Sequence, residues 1–223
     1  MLATTLQKKI DYIARLLSMG FLVKMSSIIK GSLIIGSQTL FFSASSIVVP
    51  VLGAYAGVAN SLAVALLRLL FVGMVGAKGL ALVVPGFFAS LYWNTQHWLV
   101  RLAVPVVCFA LFVTHPVGMY AAPYAFYWFI PMILYFTPNK NIFLTALAST
   151  FTAHAVGSVI WLYTVPMSAA AWLALIPLVA VERLCFSVGM VVVYKAIGLL
   201  DSFVSERLSS KALLGADHQN NIC

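Results

Sequence analysis

Charge is what this chain has least of. Only 8% of its 223 residues are Asp, Glu, Lys or Arg, and only five are acidic. A typical soluble domain is about a quarter charged and about half apolar. Here 63% of residues are hydrophobic and the mean hydropathy is +1.04. Such a chain cannot hide its apolar surface inside one water-facing globule. The composition excludes an ordinary soluble enzyme, a disordered tail and a nucleic-acid binder. Cysteine is also sparse: Cys108, Cys185 and Cys223 show no CxxC spacing, so neither a disulfide framework nor a cysteine metal motif is present. No Walker A motif occurs, so the chain does not hydrolyse ATP by itself. What remains is an all-α, polytopic transmembrane helix bundle in a lipid bilayer.

Seven apolar blocks run along the sequence, roughly 31–51, 54–75, 79–93, 99–115, 118–137, 142–164 and 172–198. A span needs about 20 apolar residues. The blocks at 79–93 and 99–115 are short, and Pro85-Gly86 and Pro105 interrupt them. Broken helices survive at membrane depth only where protein or a polar cavity covers the freed backbone groups, so these interruptions point to a cavity. Lys8, Lys9, Arg15, Lys24 and Lys30 precede the first block, and Lys195, Arg207 and Lys211 follow the last. By the positive-inside rule both termini are expected in the cytoplasm. That demands an even number of crossings, expected as six, with 79–93 or 118–137 re-entrant or shared. Residues 1–25 read as an amphipathic membrane-surface segment, with Ile10, Ile13, Leu17 and Phe21 on its apolar side. Residues 26–200 form the transmembrane domain. Residues 201–223 are a cytoplasmic tail, frayed after Gly215.

Ionisable residues inside spans are costly and are functional candidates by default. Four sit deep in apolar blocks: Arg68, His154, Glu182 and Arg183. Thr150, His154, Ser158 and Trp161 follow one another at spacings of four, four and three, which places them on one helical face. Hydroxyl, imidazole, hydroxyl and indole together suit a small polar heterocycle, with Gly157 beside them allowing close approach. Interhelical hydrogen bonding accounts for the same stripe. Glu182 and Arg183 are adjacent and point about 100° apart on a helix, so each is expected to find its own partner. Pro177 is expected to bend that helix. Asn60 and Arg68 lie within about 80° of each other. In span two, Gly53 and Gly57 form a GxxxG packing pattern. In span one, Ser32 and Gly36 form a small-xxx-small pair, suited to packing or to a partner membrane protein.

A near-repeat, F-x-x-H-x-V-G, occurs at Phe112–Gly118 and again at Phe151–Gly157. Chance in so biased a composition explains it, while a true repeat would bring His115 and His154 to one site. Aromatic residues gather at block ends, among them Tyr92, Trp93, Trp98, Tyr124, Tyr127, Trp128, Trp161, Tyr163 and Trp172, and are expected mainly as an interfacial belt. The segments 92–98 and 163–171 are the candidate mouth or lid of a cavity.

The number of expected spans, the basic N-terminus and the long final hairpin resemble the substrate-binding S components of energy-coupling-factor transporters. The resemblance is architectural, over about residues 26–200. It implies a bundle that holds a vitamin-like micronutrient and docks on a transmembrane coupling protein driven by ATPase subunits. Ser32 and Gly36 would match, by size, the small-residue docking motif of that family, which typically carries two alanines. The ligand contacts expected from the residues themselves are Asn60, Arg68, His115, Thr150, His154, Ser158, Trp161, Glu182 and Arg183. No cofactor, metal or catalytic residue is called for, and a bacterial inner membrane is the expected location. The alternatives are a proton-coupled carrier using Glu182 and His154, a non-transporting assembly or scaffold factor, and, least favoured, an intramembrane enzyme.

Overall fold

The computed structural model describes residues 13, 17, 19–35, 38–72, 77–138 and 141–220. The described residues are helical apart from one two-stranded hairpin. Helix α1 (Met19–Ile28) leads into strands β1 (Lys30–Ile35) and β2 (Gln38–Ser43), paired antiparallel with Lys30 opposite Ser43. Helices α2 (Ser45–Val72), α3 (Ala77–Asn94), α4 (Val104–Thr114), α5 (Pro116–Tyr120), α6 (Ala122–Ala125), α7 (Phe129–Phe136), α8 (Ile142–Thr164), α9 (Ala169–Ala174) and α10 (Ile176–Asn220) follow. A wide turn at Leu99–Ala103 runs into α4, and a tight one at Phe126–Trp128 runs into α7.

Among the described residues two helices are long and apolar enough to cross a membrane: Ile142–Thr164 and Ile176–Leu200. They differ in surroundings. Most of α8 is buried, whereas α10 exposes Leu184, Val188 and Val192, four residues apart. That spacing makes an apolar stripe along one side of α10.

The block expected as span one is not a helix. Lys30–Ile35 and Gln38–Ser43 form the paired strands, and the helix starts only at Ser45. Isoleucine, leucine and phenylalanine dominate this stretch, and such residues serve a pleated strand as readily as a helix. Ser32 therefore lies on a strand, where residues four apart do not form the helical face imagined for them. Gly36 lies outside the described residues.

Span two is also divided. Gly57 has φ 78° and ψ 167°, a backbone that glycine alone adopts without strain. It separates two short arms, Ser45–Tyr55 and Gly57–Leu70. Both arms lie on α3. In the first, the Val49 carbonyl accepts from Ser90 Oγ at 2.8 Å, and a Cβ on Gly53 would meet the Ser90 carbonyl oxygen at 2.6 Å. In the second, Ser61 Oγ accepts from Asn94 Nδ2 at 3.3 Å, while Arg68 lies beside Gly86. The first arm thus runs parallel to α3 and the second returns beside it. Of the expected GxxxG pair, Gly53 serves close packing and Gly57 serves the reversal.

Small residues and serines hold the remaining layers together. Ser149 Oγ donates to the Ala89 carbonyl at 3.0 Å, joining α8 to α3, and Gly189 of α10 admits Ile47 of α2. Interhelical bonds of this kind contribute roughly 0.6 kcal/mol each in membranes. Pro85 and Pro50 sit inside continuous helices and do not end them. Pro177 lies in the first turn of α10 and starts that helix, with Leu175 ending α9 before it, so the expected bend is a junction instead. Beyond Leu200, α10 continues without a break to Asn220. The fraying expected after Gly215 does not occur up to Asn220, since a lone glycine weakens a helix without ending it.

These pairings give the bundle two ends. Lys30 and Ser43 mark the hairpin end. Trp93 stacks on Tyr194 with ring centroids 5.3 Å apart, which places Lys195 at the opposite end. Val23 of α1 is 1% exposed and packs with Val49 and Val64, so α1 joins the bundle and carries Lys24 and Lys30 to the hairpin end. Of the cations that the sequence assigns to one side of the bilayer, Lys24 and Lys30 therefore fall at one end of the bundle and Lys195 at the other. In a protein stripped of its native cysteines, Cys placed at Lys30 and Cys placed at Lys195 will react with an impermeant maleimide from opposite faces of sealed vesicles. Gly53→Val will lower stability by about 1–3 kcal/mol through overpacking, read as a lower melting temperature in detergent. Gly20→Val, which meets nothing within 4 Å, will not.

Candidate functional site

A chamber of about 320 Å³ lies between α2, α3, α8 and α10, on their hairpin-end halves. Its walls include Ser43, Ser45, Ser46, Arg68, Thr150, His154, Gly157, Ser158 and Arg183. Five residues picked out as ligand contacts from sequence, Arg68, Thr150, His154, Ser158 and Arg183, thus meet around one space. Four do not line it. Trp161 shares the helical face of Ser158 but stands in the last turn of α8, where it is 42% exposed. Asn60 lies eight residues from Arg68, about 12 Å along the arm, towards the Gly57 reversal. His115 caps α5, its Nδ1 accepting from the Val117 N–H at 3.2 Å. Glu182 is turned to Arg183.

The two F-x-x-H-x-V-G copies have different structures. The first straddles the break between α4 and α5; the second lies within α8. His115 stacks edge-on against Tyr163 at 4.9 Å and does not approach His154.

His154 is held by two aromatic residues that the sequence placed in the interfacial belt. Trp128 is fully buried and Tyr124 is 3% exposed. They pack with Phe112, Phe151 and Trp172 into the wall behind α8. Trp128 Nε1 donates to His154 Nδ1 at 3.1 Å. An indole N–H only donates, so Nδ1 holds a lone pair and the proton of the neutral ring is on Nε2. That proton goes to the Tyr124 hydroxyl, 2.7 Å away. The Tyr124 O–H in turn donates to Ser158 Oγ at 3.2 Å. The chain of donors leaves the Ser158 proton for the chamber. Tyr124 also stands between His154 and Ser158, so the two do not form a serine–histidine dyad. The missed residues were Tyr124 and Trp128. Tyr124 lies thirty residues from His154, and no local spacing signals that contact.

Glu182 and Arg183 pair with each other, contrary to the sequence expectation. The arginine side chain is long enough to swing across the helix surface. In apolar surroundings the adjacent carboxylate is the nearest answer to its charge. Arg183 Nη1 also donates to Thr150 Oγ1 at 3.3 Å, and its plane covers Phe186 at 4.7 Å. Its buried Nε has no acceptor among the described residues. Arg68 forms no ion pair among the described residues. A buried charge of this kind is costly unless it is paired, and among the described residues no carboxylate pairs with it.

Backbone acceptors complete the chamber. Proline has no N–H, so Pro50 and Pro85 remove the usual donors to the carbonyls four residues earlier, Ser46 and Ala81. All four residues line the chamber. This is the cavity that the interrupted helices implied. The candidate lids lie elsewhere. Residues 92–98 close the opposite end of α3, where buried Arg101 donates to the Tyr92 and Thr95 carbonyls at 2.8 and 2.7 Å. Residues 163–171 do not line the chamber, whereas Ser43 and Ser45, beside the hairpin, do. Among the described residues no three His, Cys, Asp or Glu side chains come together as a metal group. The chain matches no known family, no curated protein and no solved structure.

The tautomer is open to test. In nitrogen NMR of histidine-labelled protein, His154 will show one protonated and one lone-pair ring nitrogen. Trp128→Phe will remove the distinction between its two tautomers and destabilise the fold by about 1–3 kcal/mol, since Nδ1 loses its donor.

Proposed function

We propose that the protein is a membrane-embedded binding subunit for uptake of a small, vitamin-like solute, working in a bacterial inner membrane with a coupling protein and ATPase subunits that supply the energy. The observation that carries this reading is the convergence of Arg68, Arg183, Thr150, His154 and Ser158 on one chamber. Ligand sites run from about 300 to 1,000 Å³, so a space of about 320 Å³ fits a small one. The walls mix a few polar groups with Pro50, Ala81, Leu82 and Ala153, the usual make-up of a site that binds by shape and reads by a few hydrogen bonds.

Two alternatives fare less well. A proton-coupled carrier would need His154 to gain and lose a proton, yet both ring nitrogens are engaged and the Trp128 N–H faces the lone pair. A scaffold would be expected to fill its interior, and here polar side chains surround open space. Ser32 and Gly36 are not used as a docking motif in this proposal, because Ser32 is on a strand.

Mild-detergent purification followed by denaturation and mass spectrometry will release a small solute in about equimolar amount. Ala153→Phe, which fills the chamber without removing a polar contact, will release none while keeping its melting cooperative. A wild-type protein that retains nothing and shows no melting shift across a panel of vitamins and organic acids refutes the binding role.

A further inference from the structure

The chamber's charges do not balance. Arg183 is matched by Glu182, and the His154 ring is neutral by its hydrogen bonds. Arg68 is left with no counter-charge among the described residues. Its position adds to the point. Arg68 lines the chamber and also a second space of about 280 Å³, whose walls include Lys24 and Lys30. The two spaces share Ser43, Ser45, Arg68 and Leu82. Among the described residues neither wall holds a carboxylate. A cationic vestibule thus leads to an unmatched guanidinium at the chamber wall.

From this geometry we infer that the solute is an oxyanion of one net negative charge, carboxylate or phosphate, whose charged group sits on Arg68. The inference rests on the binding role proposed above and names its ligand class. A guanidinium presents paired N–H donors in a planar fork that matches both oxyanions. Ser158 supplies a further donor, since Tyr124 already fills its acceptor side. The carbonyls of Ser46 and Ala81 suit hydroxyl or N–H groups on the uncharged part of the solute. Lys24 and Lys30 raise the local anion concentration at the entrance, an effect on the rate of association more than on the bound state.

A guanidinium kept for a ligand and one kept for the fold behave oppositely when removed. Arg68→Gln will raise the melting temperature of the empty protein by a few degrees, because it relieves an uncompensated charge, and will weaken solute binding at least a hundredfold. Arg68→Lys will retain part of the affinity. The test compares wild type with both variants for the retained solute by mass spectrometry, and for melting shifts with benzoate, its neutral counterpart benzamide, and inorganic phosphate. Shifts with benzoate alone identify a carboxylate site, and shifts with phosphate identify a phosphate site; both support the inference. Retention of a neutral or cationic solute, or a benzamide shift equal to that of benzoate, overturns the inference and leaves the binding role standing. A lower melting temperature in Arg68→Gln with binding unchanged assigns Arg68 to the fold and also overturns it. No retained solute and no shift with any probe overturns both.

Discussion

The hydrogen bond from the Trp128 indole to His154 Nδ1 is the contact on which the polar wall of the chamber depends. It fixes which ring nitrogen carries the proton, and the tautomer fixes the direction of every donor after it. Tyr124 must receive from the imidazole and give to Ser158. Without that first donor, the ring could turn and the serine could spend its proton on Tyr124. The aromatic cluster behind α8 is therefore more than packing: the Trp128 indole donor sets the hydrogen-bond polarity of a surface two residues away.

The same low-dielectric surroundings explain the pairing of Glu182 with Arg183. In water a neighbouring pair on a helix contributes little. In apolar surroundings each unpaired charge is expensive, so a reach to the next residue outweighs an extended rotamer. Arg68 is the exception to that economy. It stands in the second arm of α2 beside Gly86 of α3, which cannot answer a charge.

Much of the site was legible because it sits on regular helix. Thr150, His154 and Ser158 repeat every four residues, and α8 is unbroken, so periodicity alone aligned them. Trp161 obeyed the same angle but failed on height, since angular position says nothing of where neighbouring helices stop. Helical content was legible from apolar block length, although among the described residues only α8 and α10 have spans of full length. The hairpin at 30–43 was not, because an apolar stretch without polar alternation reads alike as strand or helix. Nor was the division of α2, where one glycine among small residues passed for packing. Tyr124 and Trp128 were hidden for a different reason: aromatic residues near the end of an apolar block resemble a headgroup belt, and only tertiary contact shows them turned inward.

The reversal at Gly57 has a consequence for the surrounding lipid. Arms of eleven and fourteen residues reach only about 16 and 21 Å at 1.5 Å per residue, well short of the roughly 30 Å of acyl chains. Hydrophobic mismatch of that size draws the bilayer in around the shorter segment. In a bilayer, such a mismatch would thin the membrane beside α2 and shorten the distance from headgroup to Arg68.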